Sequence, residues 1–291
     1  MHKLVVRLAA FLLILLLFAA LLGPWLVRRD PFAQDLNNRL ALPSKEYWLG
    51  TDELGRCIFT RLLVGTRYSL LIGVTVVSIN AFVGTLVGLF SGYSRRSIDA
   101  AVMGLIDILM AFPGTILTLA VAGILGPGLL NMIVALTLLG WVNYARFIRG
   151  MVLSLKEEEF IENARMLGLG HGTILFRHIF PHCLGPLLVY ASMNMAGVIL
   201  MAAGLSFLGL GVQEPRPEWG AMLNKGKNFL RTAPHLAIFP GLAIMLTTLA
   251  FNLLGDGLRD RLQEGQKEIL AAVRVSPALS IKAKKTGGKA K

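Results

Sequence analysis

Charge is scarce in this chain of 291 residues: 16% are Asp, Glu, Lys or Arg, against 55% hydrophobic, and the mean hydropathy is +0.64. Soluble domains carry roughly a quarter charged residues, so this balance excludes an ordinary soluble fold and leaves a membrane protein as the first reading. Cysteine is nearly absent too. Cys57 and Cys183 fall on opposite sides of the expected membrane arrangement, which excludes a disulfide between them, and no CxxC metal pattern occurs. A nucleotide loop G-x-x-x-x-G-K-[ST] is also missing, since GAMLNKGKN at Gly220 has the wrong spacing and lacks the hydroxyl. HExxH does not occur, and GLSFLG at Gly204 misses the G-x-S-x-G elbow by one residue. The chain is therefore not expected to be an enzyme.

What is present is long apolar runs. A helix rising about 1.5 Å per residue needs about 20 residues to cross a hydrocarbon core of about 30 Å. Six apolar segments are read as spans, at 4–26, 69–90, 101–125, 129–142, 184–208 and 236–254, and predict an all-α polytopic membrane protein. The fourth is short and is expected to extend toward Ile148, bringing Arg146 to the interface where its stem can snorkel. The first continues into GPW with no small-x-small cleavage signal, so a retained span is expected and not a signal peptide. Lys and Arg are commoner on the side that carries the termini, which places both termini in the cytoplasm. The division expected is 1–68 for the first span and an outer loop, 69–262 for a core of five spans, and 263–291 for a basic, disordered tail near anionic lipid.

One segment interrupts this pattern. EEEFIENARMLGLGHGTILFRHIFPH, residues 157–182, gathers four glutamates, several glycines and three histidines between apolar runs. Ser154 followed by Glu157 has capping-box spacing and predicts a helix beginning near Leu155 and stopping at Gly168 and Gly170. Thr173 is expected to cap a second short helix that ends near Pro181. At about 100° per residue, Phe160, Ala164 and Leu167 share one face, with Glu158, Glu162 and Arg165 nearly opposite. Interfacial helices usually carry Lys and Arg on the polar face, whereas this one is acidic and would be repelled by anionic lipid. An acidic amphipathic helix followed by a glycine turn suits docking in a groove of another protein.

ENARMLGLGHGTILFRHIFP resembles the EAA loop of membrane subunits of ATP-binding-cassette importers, with Glu162, Ala164, Gly168 and Pro181 on the motif positions and Asn163 and Phe180 departing from it. WLGTDELGRCIFTRLLVGTRYSLLIG from Trp48, LSFLGLGVQEPRPEWGAML from Leu205 and FPGLAIMLTTLAFNLLGDGLRD from Phe239 are similar to the C-type permeases of the dipeptide, oligopeptide and nickel branch. The resemblance implies a six-helix, MetI-like permease fold of the type I importers in a bacterial or archaeal inner membrane. It also implies a second, B-type permease subunit, two cytoplasmic ATPases that use ATP and Mg, and an extracytoplasmic binding protein. In that reading the loop at 155–182 couples to the ATPases: Glu158, Glu162 and Arg165 make polar contacts, Ala164 packs closely, Gly168 makes the turn and Pro181 closes the motif. The cargo expected is di- or oligopeptide, with nickel or a metal chelate as the alternative. A passive channel is the competing class.

Other candidates divide between function and packing. Asp107, in the third span, is a candidate for the translocation path because charge at membrane depth costs about 2.5–3.5 kcal/mol, although a bond within the bundle also explains it. Ser192 and Asn194 in the fifth span suit either a polar path or bonds between helices. His178 and His182 are expected to pack at the interface, and Met193, Met195 and Met201 in the core, so no cofactor or metal is expected on this chain. Gly84, Gly88 and Gly92 have GxxxG spacing for close helix contact, and GTDELGR at Gly50 reads as a turn in which Asp52 bonds nearby amides and Gly55 takes positive φ.

Overall fold

The computed structural model describes residues 2–26 and 29–275. The chain opens with α1 (His2–Leu26), α2 (Ile58–Tyr93), α3 (Arg96–Met110), α4 (Gly114–Leu125) and α5 (Leu129–Leu155). A short α6 (Glu159–Met166) follows, then one turn, α7 (His171–Thr173), a π-helical stretch Ile174–Ile179, α8 (Phe180–Phe207), α9 (Trp219–Gly226) and α10 (His235–Val275). No strand occurs among the described residues, in keeping with the all-helical expectation.

Glycine brings the two central helices together. A Cβ on Gly84 would lie 2.3 Å from Tyr144 Cβ, and one on Gly88 would lie 2.6 Å from the Ala145 carbonyl oxygen. Gly92 meets Val152 in the same way, so the glycine stripe of α2 seats the backbone of α5 within the chain's own bundle. Polar ties at one end complete this core: Arg149 donates twice to Asp99 of α3, both at 2.6 Å, and Ser91 of α2 donates to the same carboxylate.

Several boundaries differ from expectation for identifiable reasons. The third span is broken, because Pro113 has no N–H to donate and pushes Phe112 out of the helical region; α3 and α4 meet at 79°. α5 runs on to Leu155, so Ser154 lies in its last turn and donates to the Gly150 carbonyl instead of capping the next helix. α6 is therefore shorter than expected, with Glu158 in the N-cap position. Pro181 does not end a helix. The wider π turn, in which Phe180 N–H bonds Leu175 O, admits the proline near the start of α8, and His171–Phe207 forms one continuous apolar span. α10 continues to Val275 because the sequence beyond Leu254 stays rich in helix formers and meets no proline before Pro277. The first part of the expected tail is thus helical, and 276–291 lie outside the described residues.

Candidate coupling site and the far end of the bundle

α6 is seated by two apolar side chains. Ile161 and Ala164, 0% and 4% exposed, enter a core made with Leu89 of α2, Ile148 and Val152 of α5, and Ile179 and Cys183. Burying a side chain such as Ile161 contributes about 1.5–3 kcal/mol, so this face fixes the helix on its own bundle. The expected apolar face divides as a result. Ala164 turns inward to close packing within the chain, Phe160 stacks on His182 with centroids 5.1 Å apart, and Leu167 points to solvent. Ile161, which the face assignment omitted, supplies the main anchor.

The helix ends in a Schellman motif. Gly168 has φ +76°, its N–H bonds Arg165 O at 2.9 Å, and Leu169 N–H reaches back to Ala164 O at 3.2 Å. This turn leaves Met166 and Leu167 protruding, 78% and 80% exposed. Glu159 and Glu162 lie in the first turn, where negative charge suits the helix dipole. Glu158, Glu162 and Arg165 are exposed, and none forms an ion pair among the described residues. The arrangement offers a partner an apolar knob flanked by unspent charges.

Polar ties hold the base of this platform. Tyr93 Oη lies 3.1 Å from His171 Nδ1, and Lys156 Nζ donates to the Gly92 carbonyl at 3.3 Å. His182 Nδ1 lies 2.6 Å from the His178 carbonyl, so the histidine pair is engaged locally. Among the described residues no group of three or more His, Cys, Asp or Glu side chains is placed to hold a metal ion.

The path candidates separate. Asp107 pairs with Arg146 of α5 on a largely exposed face of the bundle. Ser192 donates to Leu188 O at 2.8 Å and Asn194 to Tyr190 O at 2.9 Å, each satisfying its own helix and neither bridging to another.

At the far end, charges are buried. Asp52 accepts from the backbone N–H groups of Leu54 and Arg56, both at 2.9 Å, and from Arg56 Nε at 2.6 Å. Gly55, at φ +74°, completes the turn, where an added Cβ would meet the Asp35 carbonyl oxygen at 1.8 Å. Arg56 reaches across to Glu214 at 3.0 Å, and Arg61 donates to Pro31 O at 3.0 Å. Burial alone disfavours the Arg56 cation, but Asp52 and then Glu214 outweigh it and raise its pKa. Burial pushes Glu214 up, yet Arg56 holds it below the ordinary glutamate value. Glu218, 2% exposed, caps α9 by accepting from Gly220 and Ala221 N–H at 2.9 Å and takes the Ser69 hydroxyl at 3.2 Å. Sequence reading found the Asp52 turn but not Arg56–Glu214 or Glu218; EPRPEWG carried the acidic residues, and only the fold shows what they meet.

Comparison with known proteins follows the same lines. The profile of the family described as "Binding-protein-dependent transport system inner membrane component" matches residues 84–267. The chain is 48% identical over 258 residues to the glutathione transport system permease protein GsiD of Escherichia coli O1:K1 / APEC, covering 87% of this chain and 84% of that one. The GsiD protein of Shigella boydii serotype 4 matches to the same extent. Among solved structures, one described as inward facing conformations of the MetNI methionine ABC transporter aligns with a TM-score of 0.54 at 20% identity, over 70% of this chain and 97% of that one, and establishes likeness of fold.

Proposed function

The chain belongs to the binding-protein-dependent transport system inner membrane components and is the permease of an ATP-driven importer, and on that premise we propose that its cargo is a short peptide. The relative at 48% identity is named for glutathione, a tripeptide, which supports a cargo of that size. ATPase and substrate-binding subunits follow from the family. A second, B-type permease beside this one, forming a heterodimer, and cytoplasmic placement of both termini complete the proposed assembly. The second subunit is supported by the exposed Asp107–Arg146 pair, because an ionic face suits a neighbouring subunit and a hydrated path far better than lipid. Asp107 would then line the path, while Ser192 and Asn194, bonded within α8, would contribute less.

One observation carries the coupling assignment: α6 is anchored by Ile161 and Ala164 yet exposes Met166, Leu167 and its charged face. Glu158, Glu162 and Arg165 would contact a cleft in the ATPase, with Gly168 setting the angle and Pro181 leading the platform into α8. ATP and Mg would be held by that ATPase. Co-purification of the solubilised chain with its partners tests this. Wild type should retain the ATPases and the second permease, and the Glu162→Lys, Gly168→Asp double variant should lose only the ATPases. A wild-type chain that purifies alone and conducts solute in liposomes without ATP would overturn the reading in favour of a channel.

A further inference from the structure

The far end of the bundle holds a partly open cavity of about 350 Å3, within the range at which proteins bind small molecules. Ile58, Val212 and Leu236, at 1%, 4% and 5% exposure, give it apolar surface, and charged side chains from the Asp52 turn, the 213–216 segment and α9 give it the rest. Much of that charge is spent within the lining. Asp52 accepts from Arg56 and from two backbone N–H groups, Glu53 lies 3.6 Å from Arg56, and Glu214 lies 3.0 Å from Arg56 and 3.9 Å from Lys225. Against these three carboxylates stand four cations, Arg56, Arg61, Arg216 and Lys225, so the cavity keeps one positive charge in excess.

Open groups remain, and they are of more than one kind. Arg216 is exposed and has neither ion pair nor side-chain hydrogen bond among the described residues, and Lys225 reaches Glu214 only beyond hydrogen-bonding distance. The side-chain amide of Asn224 has no hydrogen bond among the described residues either. Gln213 donates from Nε2 to Gly209 O at 3.1 Å and Gly211 O at 2.9 Å, which leaves its Oε1 as an acceptor without a donor among the described residues. Two cations, an amide that both donates and accepts, and a further acceptor match a peptide: a carboxylate for Arg216 and Lys225, backbone C=O and N–H groups for Asn224 and Gln213. An inorganic anion would use the cations alone.

Size separates a whole peptide from one side chain of a partner protein. Benzene fills a cavity of about 150 Å3, so a single inserted side chain would take less than half of this one and leave the rest to water. The walls are also set before anything enters, by Arg56–Glu214, by Arg61 on Pro31 O and by the Glu218 cap of α9, so binding has little to reorder.

We propose that this cavity is a cargo site of the permease itself, selective for short peptides that carry one more carboxylate than ammonium group. Arg216 and Lys225 receive the additional carboxylate, Asn224 and Gln213 the peptide backbone, and Ile58, Val212 and Leu236 an apolar side chain. The proposal rests on the reading of the chain as a peptide importer and narrows its cargo by charge.

The test is binding of radiolabelled tripeptides to the assembled complex in lipid nanodiscs, with no binding protein added. Ala-Ala-Glu should bind about tenfold tighter than Ala-Ala-Lys, with Ala-Ala-Ala between them, and the preference should shrink as salt is raised. Arg216→Gln should weaken Ala-Ala-Glu about tenfold, the scale of one charge-assisted contact, whereas Arg216→Lys should keep most of the affinity. An Arg216→Glu, Lys225→Glu double variant should reverse the order of the three peptides. Wild type that binds no Ala-Ala-Glu, that binds all three peptides equally, or that binds them just as the double variant does would overturn the site. Binding-protein docking that is lost in the double variant, with no peptide held by wild type, would overturn it in favour of a protein contact. Import measured in parallel, with binding protein and ATP, keeps the two readings apart. Wild type that imports peptide but holds none alone loses only the site, and wild type that hydrolyses ATP yet imports no peptide loses the peptide cargo and the site together.

Discussion

Helix α6 and the far end of the bundle treat charge in opposite ways. At the α6 end, beside the Arg149–Asp99 pair, α6 itself is seated by apolar contacts, Ile161 and Ala164 in the core, while Glu158, Glu162 and Arg165 stand in solvent without an internal counter-ion among the described residues. At the far end Asp52, Arg56, Arg61 and Glu218 are buried and satisfy one another and the backbone. Exposed charges cost little to keep and gain energy only when a partner arrives. A buried network is costly to desolvate but holds its members in one geometry. On the proposed coupling reading, the α6 end is an interface completed by another subunit and the far end a scaffold completed by the chain itself.

The largest expected effect attacks the scaffold. Arg56→Ala removes the cation between Asp52 and Glu214 and should destabilise the protein by about 3–5 kcal/mol, because it strands buried carboxylate charge. A thermal midpoint in detergent that stays at the wild-type value would move the far end's rigidity elsewhere. Acid should weaken the same network. Folded Glu214 has a pKa below its ordinary value of 4.5, so its contribution is complete above that pH and is lost as pH falls through the lower, folded value. The loss should vanish in Glu214→Gln, which identifies the group.

Gly84→Val comes next. Its side chain would overlap Tyr144 and the Trp141 carbonyl, forcing α2 and α5 apart at a cost of about 1–3 kcal/mol. Because this helix pair joins the two ends, both should loosen together, measurable as faster hydrogen exchange in α6 and at Asp52 alike. Exchange that rises at one end only would mean that the ends are independent bodies.

Gly168→Asp acts on the interface alone. The left-handed conformation at φ +76° costs a non-glycine residue about 1–2 kcal/mol, so the Schellman turn and the angle of Met166 and Leu167 shift. Insertion should be normal while uptake per ATP hydrolysed falls about tenfold, on the scale of one lost positioning contact. Unchanged uptake with normal ATPase association would remove Gly168 from the coupling assignment.

How far the chain can be read without its structure follows from the same contrast. The apolar runs are legible because length and hydropathy decide whether a helix spans, and the Asp52 turn is legible because its bonds lie within five residues. Helix ends were harder. Ser154 and Glu157 have capping-box spacing, but the favourable run of α5 carries Ser154 into the last turn of that helix, and local propensity does not decide between those outcomes. Pro113 and Pro181 look alike in sequence, yet one breaks a span by 79° and the other is absorbed by a π turn, because only the second has a tightly packed neighbourhood, at Ile174, Leu175 and Ile179, to hold the widened helix. The cavity was out of reach, since Arg56 and Glu214 are 158 residues apart and meet only through the fold.

The smallest effect expected is the sharpest test of the comparison. Tyr93 touches His171 in two ways, through its hydroxyl at 3.1 Å and through an edge contact with ring centroids 5.7 Å apart. Tyr93→Phe removes only the first, an exposed bond worth at most about 0.5–1.5 kcal/mol, so coupling should stay within about twofold of wild type. Tyr93→Ala removes both contacts and should lower uptake per ATP further. If apolar burial seats the platform, Ile161→Ala must cost more than either, since it empties a fully buried site at about 2–5 kcal/mol. Should Tyr93→Phe instead uncouple transport as strongly as Gly168→Asp, the α6 platform would be held by polar ties as the far end is, and the distinction between interface and scaffold would fail at the residue where the two schemes differ most.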